Sequence, residues 1–204
     1  MKNYTFLFLT IILFSCTSVE VQELNDNELN VDENVIFLDY LENDWQKNLN
    51  QNPLFASYVG DKRSNDKINS NSIIQFIEER SSEIESLNQL YSIDQSKLSE
   101  ENQLNYKLKE FGLKSSIGLS DFPTYFLRLN QRGGIQSFYE TGNRLVYTSK
   151  EDYFDWLSRL KQFSSNINNS LEINKEGLSK GITQPKIIVE GVVTQIDTIL
   201  KTDI

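Results

Sequence analysis

Residues 174–196 read NKEGLSKGITQPKIIVEGVVTQI, the end of one helix, a reversal and the start of the next. Gly181 fits the position just past a helix end, where a left-handed residue closes the last turn and only glycine adopts it without steric cost. Pro185 fits the first turn of the following helix, where its fixed φ suits and its missing N–H would have had no partner. Val189, Val192, Val193, Ile196 and Leu200 then recur at spacings of three and four, which lines one face of a helix. This helix–turn–helix grammar sets the expectation for the rest of the chain.

Upstream, Ser149-Lys150-Glu151-Asp152 resembles a capping box, opening a helix whose inward face would be Tyr153, Leu157, Leu160, Ile167 and Leu171. Residues 122–148 break the periodicity with a proline, glycines and aromatics, and read as a long structured loop or a short strand pair. Before it, Leu104, Leu108 and Phe111 mark a helix, with Ser99 as its cap and Glu100 and Glu101 on the positive end of its dipole. Ile73, Ile77, Ile84, Leu87 and Tyr91 mark another. Leu38, Leu41, Trp45 and Leu49 mark the first, which Asn52-Pro53 would end because proline disfavours an α conformation in the residue before it. Residues 54–66, with Gly60, read as an irregular connection. No internal repeat and no coiled-coil heptad run is evident. The predicted fold is mostly α, a helical domain over residues 35–204 with one long irregular loop.

The N-terminal segment has a different character. Lys2 precedes an apolar or neutral run at residues 4–14 (YTFLFLTIILF), too short to span a bilayer, which needs about 20 residues, but suited to a signal peptide. It ends in Leu13-Phe14-Ser15-Cys16, which resembles a lipobox, and Cys16 is the only cysteine of the chain. The reading is a lipoprotein signal peptide at 1–15, lipidation at Cys16 and a flexible acidic tether at 16–34, against an ordinary signal peptide with an incidental cysteine. Attachment to the bacterial cell envelope, at the periplasmic face of the outer membrane or the cell surface, would rest on the lipid.

The formal charge of −9 over 204 residues repels phosphate backbones, which argues against nucleic acid as a partner. The chain has no histidine, so a Ser-His or Cys-His pair, a histidine base and an H-E-x-x-H zinc site are excluded, as is a disulfide framework with one cysteine. Glu78, Glu79, Glu83 and Glu85 fall where a solvated helix face would be, and no catalytic residue or metal ligand can be chosen. One polar cluster is unusual: Arg132-Gly133-Gly134 with Arg128 upstream. The commoner arrangement is a tight turn with arginines facing water. The other is a cradle in which glycine amides and an arginine fork hold an anion or a peptide carboxylate. Phe122, Tyr125, Phe126, Phe138, Tyr139 and Tyr147 read as packing residues.

The stretch GLSKGITQPKIIVEGVVTQI, together with residues 52–66 (NPLFASYVGDKRSND), the 123–134 loop and residues 153–160 (YFDWLSRL), resembles the bacterial family DUF885 in order and spacing, over residues 40 to 200. The resemblance implies a largely helical, lipid-anchored protein and the N-terminal part of a larger zinc-metallopeptidase-like fold. The family's presumed zinc motif, bearing histidines, would lie in a C-terminal half that this sequence does not contain. It therefore implies a chain inactive alone, with no cofactor of its own and zinc expected only in that other half. Gly177, Gly181 and Pro185 carry over as structural positions, and Arg132, Gly133 and Gly134 as lining of the cleft. The end at Ile204 then reads as truncation, and an exposed apolar patch is expected near residues 185–204. Expected partners are the membrane, a complementary C-terminal fragment and a peptide ligand. The alternative is a free-standing helical lipoprotein that binds a peptide or partner.

Overall fold

A computed structural model describes residues 32–201. They form seven α-helices: α1 (Glu33–Gln51), α2 (Pro53–Tyr58), α3 (Ile73–Tyr91), α4 (Glu100–Leu119), α5 (Tyr139–Arg144), α6 (Lys150–Ser179) and α7 (Lys186–Lys201). Three short 3-10 turns lie between them, at Gln95–Lys97, Thr124–Leu127 and Ile135–Ser137. The mostly-α expectation holds. The signal peptide, Cys16 and nearly all of the tether lie outside the described residues.

Helices α1, α3, α4 and α6 each begin just after a residue whose side chain satisfies a free backbone donor. Asp32 accepts from Asn34 N at 2.9 Å to open α1, Ser72 from Gln75 N at 3.2 Å to open α3, and Ser99 from Asn102 N at 3.2 Å to open α4. Ser149 and Asp152 form the capping box of α6. At its far end the motif is equally complete. Gly181 takes φ +71°, its N–H donates to Leu178 O at 3.1 Å, and Ile182 N–H reaches back to Gly177 O at 2.8 Å. Gly177 is required for close approach as well, since a Cβ there would stand 2.7 Å from the Ile182 carbonyl oxygen. Pro185 directly precedes α7, its carbonyl accepting from Ile188 and Val189.

The apolar core lies between α1, α3 and α4. Phe37 and Tyr40 of α1 meet Leu90 of α3, Ile93 and Leu98 of the connection, and Tyr106 and Leu113 of α4. Helices α3 and α4 run antiparallel, tied along their length by Arg80–Asp121, Ser116–Glu83 and Tyr91–Glu110. Beneath the rings, Tyr40 shares a hydrogen bond with Ser86 Oγ at 2.9 Å, and Ser86 donates to Asp44 at 2.7 Å.

Two loop expectations need correction. Proline at 53 ends α1 but also starts α2 at its first position, where the lost N–H has no consequence, so residues 54–58 of the expected irregular connection are helical. Residues 122–148 contain two 3-10 turns and α5, and the alternative of a strand pair reduces to one isolated bridge between Asn130 and Gly133.

The larger correction concerns which faces are buried. Leu49 and Val192 are buried as expected. Leu104, Leu108 and Phe111 of α4, however, face outward, Phe111 at 72 % exposure, and α4 buries Tyr106 and Leu113 instead. On α6, Tyr153, Leu157, Leu160, Ile167 and Leu171 are all exposed. The stripe that α6 turns inward is Asp152, Trp156, Arg159, Phe163, Asn166, Ser170, Ile173 and Gly177, also spaced by three and four. On α7, Val193, Ile196 and Leu200 are exposed while Val192 is 2 % exposed. These helices carry more apolar positions than one face can bury, so periodicity identifies the helix without choosing the face.

Candidate functional site

Residues 59–72 lack regular structure apart from turns, so their backbone groups need partners from elsewhere. The inward stripe of α6 supplies them. Arg159, fully buried, donates from Nε to Lys67 O at 2.8 Å and from Nη2 to Pro53 O at 3.2 Å, Ser57 Oγ at 2.6 Å and Ser64 O at 3.4 Å. One turn on, Gln162 donates to Asp66 O at 2.7 Å, and Asn166 donates to Asn69 O at 2.8 Å. Asn71 answers from the loop, donating to Asn166 O at 2.9 Å and Ser170 Oγ at 2.7 Å. At the start of α6, the Asp152 carboxylate takes Lys62 Nζ at 2.5 Å and the N–H groups of Thr148 and Ser149 at 2.7 and 2.9 Å. These bonds hold the Asp152 pKa far below the usual carboxylate range, with the Lys62 contact the largest cause.

Between this laced segment and residues 125–144 lies a cavity of about 440 Å³. Its walls combine the rings of Phe76, Tyr125 and Phe138 with the carboxamides of Asn71, Asn166 and Asn174 and the guanidinium groups of Arg128, Arg132 and Arg144. The rings are fixed by stacking: Phe76 on Tyr125 at 5.3 Å between centroids, and Phe138 on Phe163 at 4.3 Å. Arg128 lies 4.1 Å over the Phe76 ring, and Arg144 pairs with Glu140 at 2.9 Å. The Arg132 side chain is exposed and has no ion-pair partner among the described residues. Asn71 Oδ1 is buried with no hydrogen-bond partner.

The structure thus places Arg128, Arg132, Gly133 and Gly134 together on one cavity wall. It does not leave the glycine amides free. Gly133 N–H donates to Asn130 O at 3.4 Å and Gly134 N–H to Ser137 Oγ at 3.3 Å. Helix α7 braces the same turn, with Gln195 donating to Gln131 O at 2.8 Å and accepting from Gln136 at 3.1 Å. Anion recognition here would therefore fall to the arginine side chains. Gly177, Gly181 and Pro185 lie at the α6–α7 junction as parts of the backbone turn. Of the aromatics read as packing residues, Phe126 is buried, while Phe122 and Tyr139 are exposed.

Sequence reasoning missed Asn71, Arg159 and Asn166. For Arg159 and Asn166 the signal was present as the second spacing of three and four along α6, which mixes polar with apolar residues and is invisible to a hydropathy criterion; Asn71, in the loop, carried none.

The described residues thus form a helical domain with a cavity between a braced turn and a laced loop. The model of the bacterial family of unknown function DUF885 matches residues 53–203, and the chain belongs to that family. No curated protein and no solved structure matches it.

The resemblance places its zinc site outside this sequence, and the residues of this chain do not themselves fit one. Zinc takes Cys, His or carboxylate ligands in a tight tetrahedral set. The sequence has no histidine, and among the described residues no three His, Cys, Asp or Glu side chains gather as a metal site. Of the four glutamates near residue 80, Glu78 and Glu85 are exposed, Glu83 accepts from Ser116, and burial raises the Glu79 pKa.

Proposed function

We propose that this chain is the substrate-holding helical part of a lipid-anchored bacterial envelope protein of peptidase class, inactive alone. In this reading the 440 Å³ cavity receives a peptide segment. One observation carries it: the cavity is lined on one side by the unpaired Arg132 guanidinium, which suits a carboxylate or carbonyl, and on the other by Asn71, whose buried Oδ1 lacks a donor such as a backbone N–H. A peptide supplies both, whereas a nucleic acid would meet a strongly acidic chain. Catalytic groups, and any zinc, would come from a complementary segment docked on the exposed apolar faces of α4, α6 and α7. Cys16 would carry the lipid that keeps the assembly at the envelope.

The test is fluorescence polarisation of the full chain with labelled hexapeptides of acidic, neutral and basic composition. Acidic peptides should bind most tightly, and Arg132→Ala should weaken them about tenfold, or ~1.4 kcal/mol. Equal binding of all three compositions, or an unaffected Arg132→Ala, would contradict the reading. The anchor is tested separately by feeding cells a clickable fatty acid, where Cys16→Ala should lose the label.

The second reading is a free-standing lipoprotein whose partner covers the apolar faces without catalysis. The exposure of Ile187 at 74 % and Leu200 at 78 % on α7 favours some such partner under either reading. Pull-down from envelope extracts followed by a peptide-hydrolysis assay separates the two, since only the first predicts turnover in the recovered complex.

A further inference from the structure

Arg159 bounds a second, smaller cavity, on the N-terminal side of the α6 stripe. It measures about 240 Å³, below the roughly 300–1,000 Å³ of pockets for drug-sized ligands, so its occupant is small. Its apolar wall is Leu145, Val146 and Trp156, with the rings of Tyr58 and Tyr147, and its polar wall is Arg159, Lys62, Asn65, Ser57 and Asp152.

The charge balance of that wall is uneven. The guanidinium of Arg159 is fully buried, yet each of its partners is a neutral oxygen, and no carboxylate lies within ion-pair distance. Asp155 and Asp66 act on it from farther off. Its Nη1 has no hydrogen-bond partner at all. Burying an uncompensated cation is costly, and an unmade hydrogen bond adds to the cost. Asp152 cannot compensate it. Its Oδ1 is taken by Lys62, and its Oδ2 by the N–H and hydroxyl groups of Thr148 and Ser149. Asn65 is committed to Asp155 at 3.0 Å and to Ser57 at 2.7 Å, and Tyr147 donates to Gly142 O at 3.0 Å. The unsatisfied polar group on this wall is therefore a cationic donor, and the surface facing it is apolar and aromatic.

We propose that this second cavity binds a small monocarboxylate with an apolar body, its carboxylate received by Arg159 and its body by Trp156, Leu145 and Val146. This is independent of the peptide reading of the larger cavity. A carboxylate accepts from the guanidinium fork and neutralises it, which a neutral isostere of the same shape cannot do. The same chemistry occurs in a free short-chain or aryl acid and at the C-terminus of a peptide.

Calorimetry on the full chain distinguishes these. The probes are 3-methylbutanoate and phenylacetate, their primary amides, and acetyl-Gly-Leu with a free or an amidated C-terminus. The acids should bind at least tenfold more tightly than the amides. Tighter binding of the free acids assigns the site to a small metabolite, and tighter binding of acetyl-Gly-Leu assigns it to a peptide C-terminus. Removal of Arg159 would also release the loop it holds, so two further measurements are needed. Val146→Trp, at an exposed position on the cavity wall, should block the acids tenfold or more while the thermal transition stays in place. The Arg159 Nε–H resonance should shift on adding acid and stay fixed on adding amide. Equal binding of acid and amide, no heat at millimolar concentration, or an unaffected Val146→Trp would overturn the proposal.

Discussion

Around Phe37, helices α1, α3 and α4 meet through rings and aliphatic side chains, whereas α6 meets residues 53–71 through a guanidinium, carboxamides and a serine. The first region needs only that water be excluded, and any set of side chains of suitable volume would do this to a first approximation. The second needs named donors at named carbonyls, because an irregular segment brings its own backbone groups into the interior. The difference explains where binding features gather. Both cavities open beside the polar seam, where a loop held by directional bonds leaves Asn71 Oδ1 and Arg159 Nη1 over. The apolar core leaves no such remainder.

That contrast can be attacked from both sides. The largest loss should follow Phe37→Ala, which empties the centre of the apolar core and should cost about 3–5 kcal/mol in chemical denaturation. Next comes Arg159→Met, which keeps volume but strips donors from Pro53 O, Ser64 O and Lys67 O. It should cost about 3 kcal/mol and raise hydrogen exchange selectively in residues 59–71. Phe37→Ala should instead loosen α1, α3 and α4.

A smaller, pH-dependent effect is expected at Asp152. Its folded pKa is depressed from the ordinary 3.8, so the ionised form is favoured by folding. That contribution is present above about pH 4 and is lost as pH falls through the folded value. Asp152→Asn should thus melt several degrees below the parent at pH 7, and the gap should close on acidification. A gap that stays constant down to pH 3 would show that the Lys62 and capping contacts do not depend on charge. Gly181→Ala should cost about 1 kcal/mol, since φ +71° is strained for a residue with a Cβ.

The same contrast marks how far the sequence could be read. Helix positions, the caps at Ser99 and Ser149, and the Gly181–Pro185 reversal were legible because each depends on local backbone chemistry. The clustering of Arg128 with Arg132, Gly133 and Gly134 followed from their nearness in the chain. Burial was less legible. Leu108 and Phe111 recur at helical spacing as well as any core residue, yet Tyr106 and Leu113 are the ones covered, because the choice depends on where α1 and α3 lie. Arg159 and Asn166 were missed for the complementary reason. Their partners are backbone carbonyls 92 to 106 residues away in sequence, which no side-chain pattern records.

Helix α6 is held to its domain by the stripe that carries Arg159 and Asn166, while Leu157, Leu160 and Leu171 stay exposed. Equilibrium unfolding of Leu157→Ser, Leu160→Ser and Leu171→Ser combined, beside Arg159→Met alone, tests it directly. The triple variant, at exposed positions, should stay within about 0.5 kcal/mol per site of the parent while Arg159→Met loses about 3 kcal/mol. A triple variant that loses several kcal/mol, with Arg159→Met close to the parent, would contradict it.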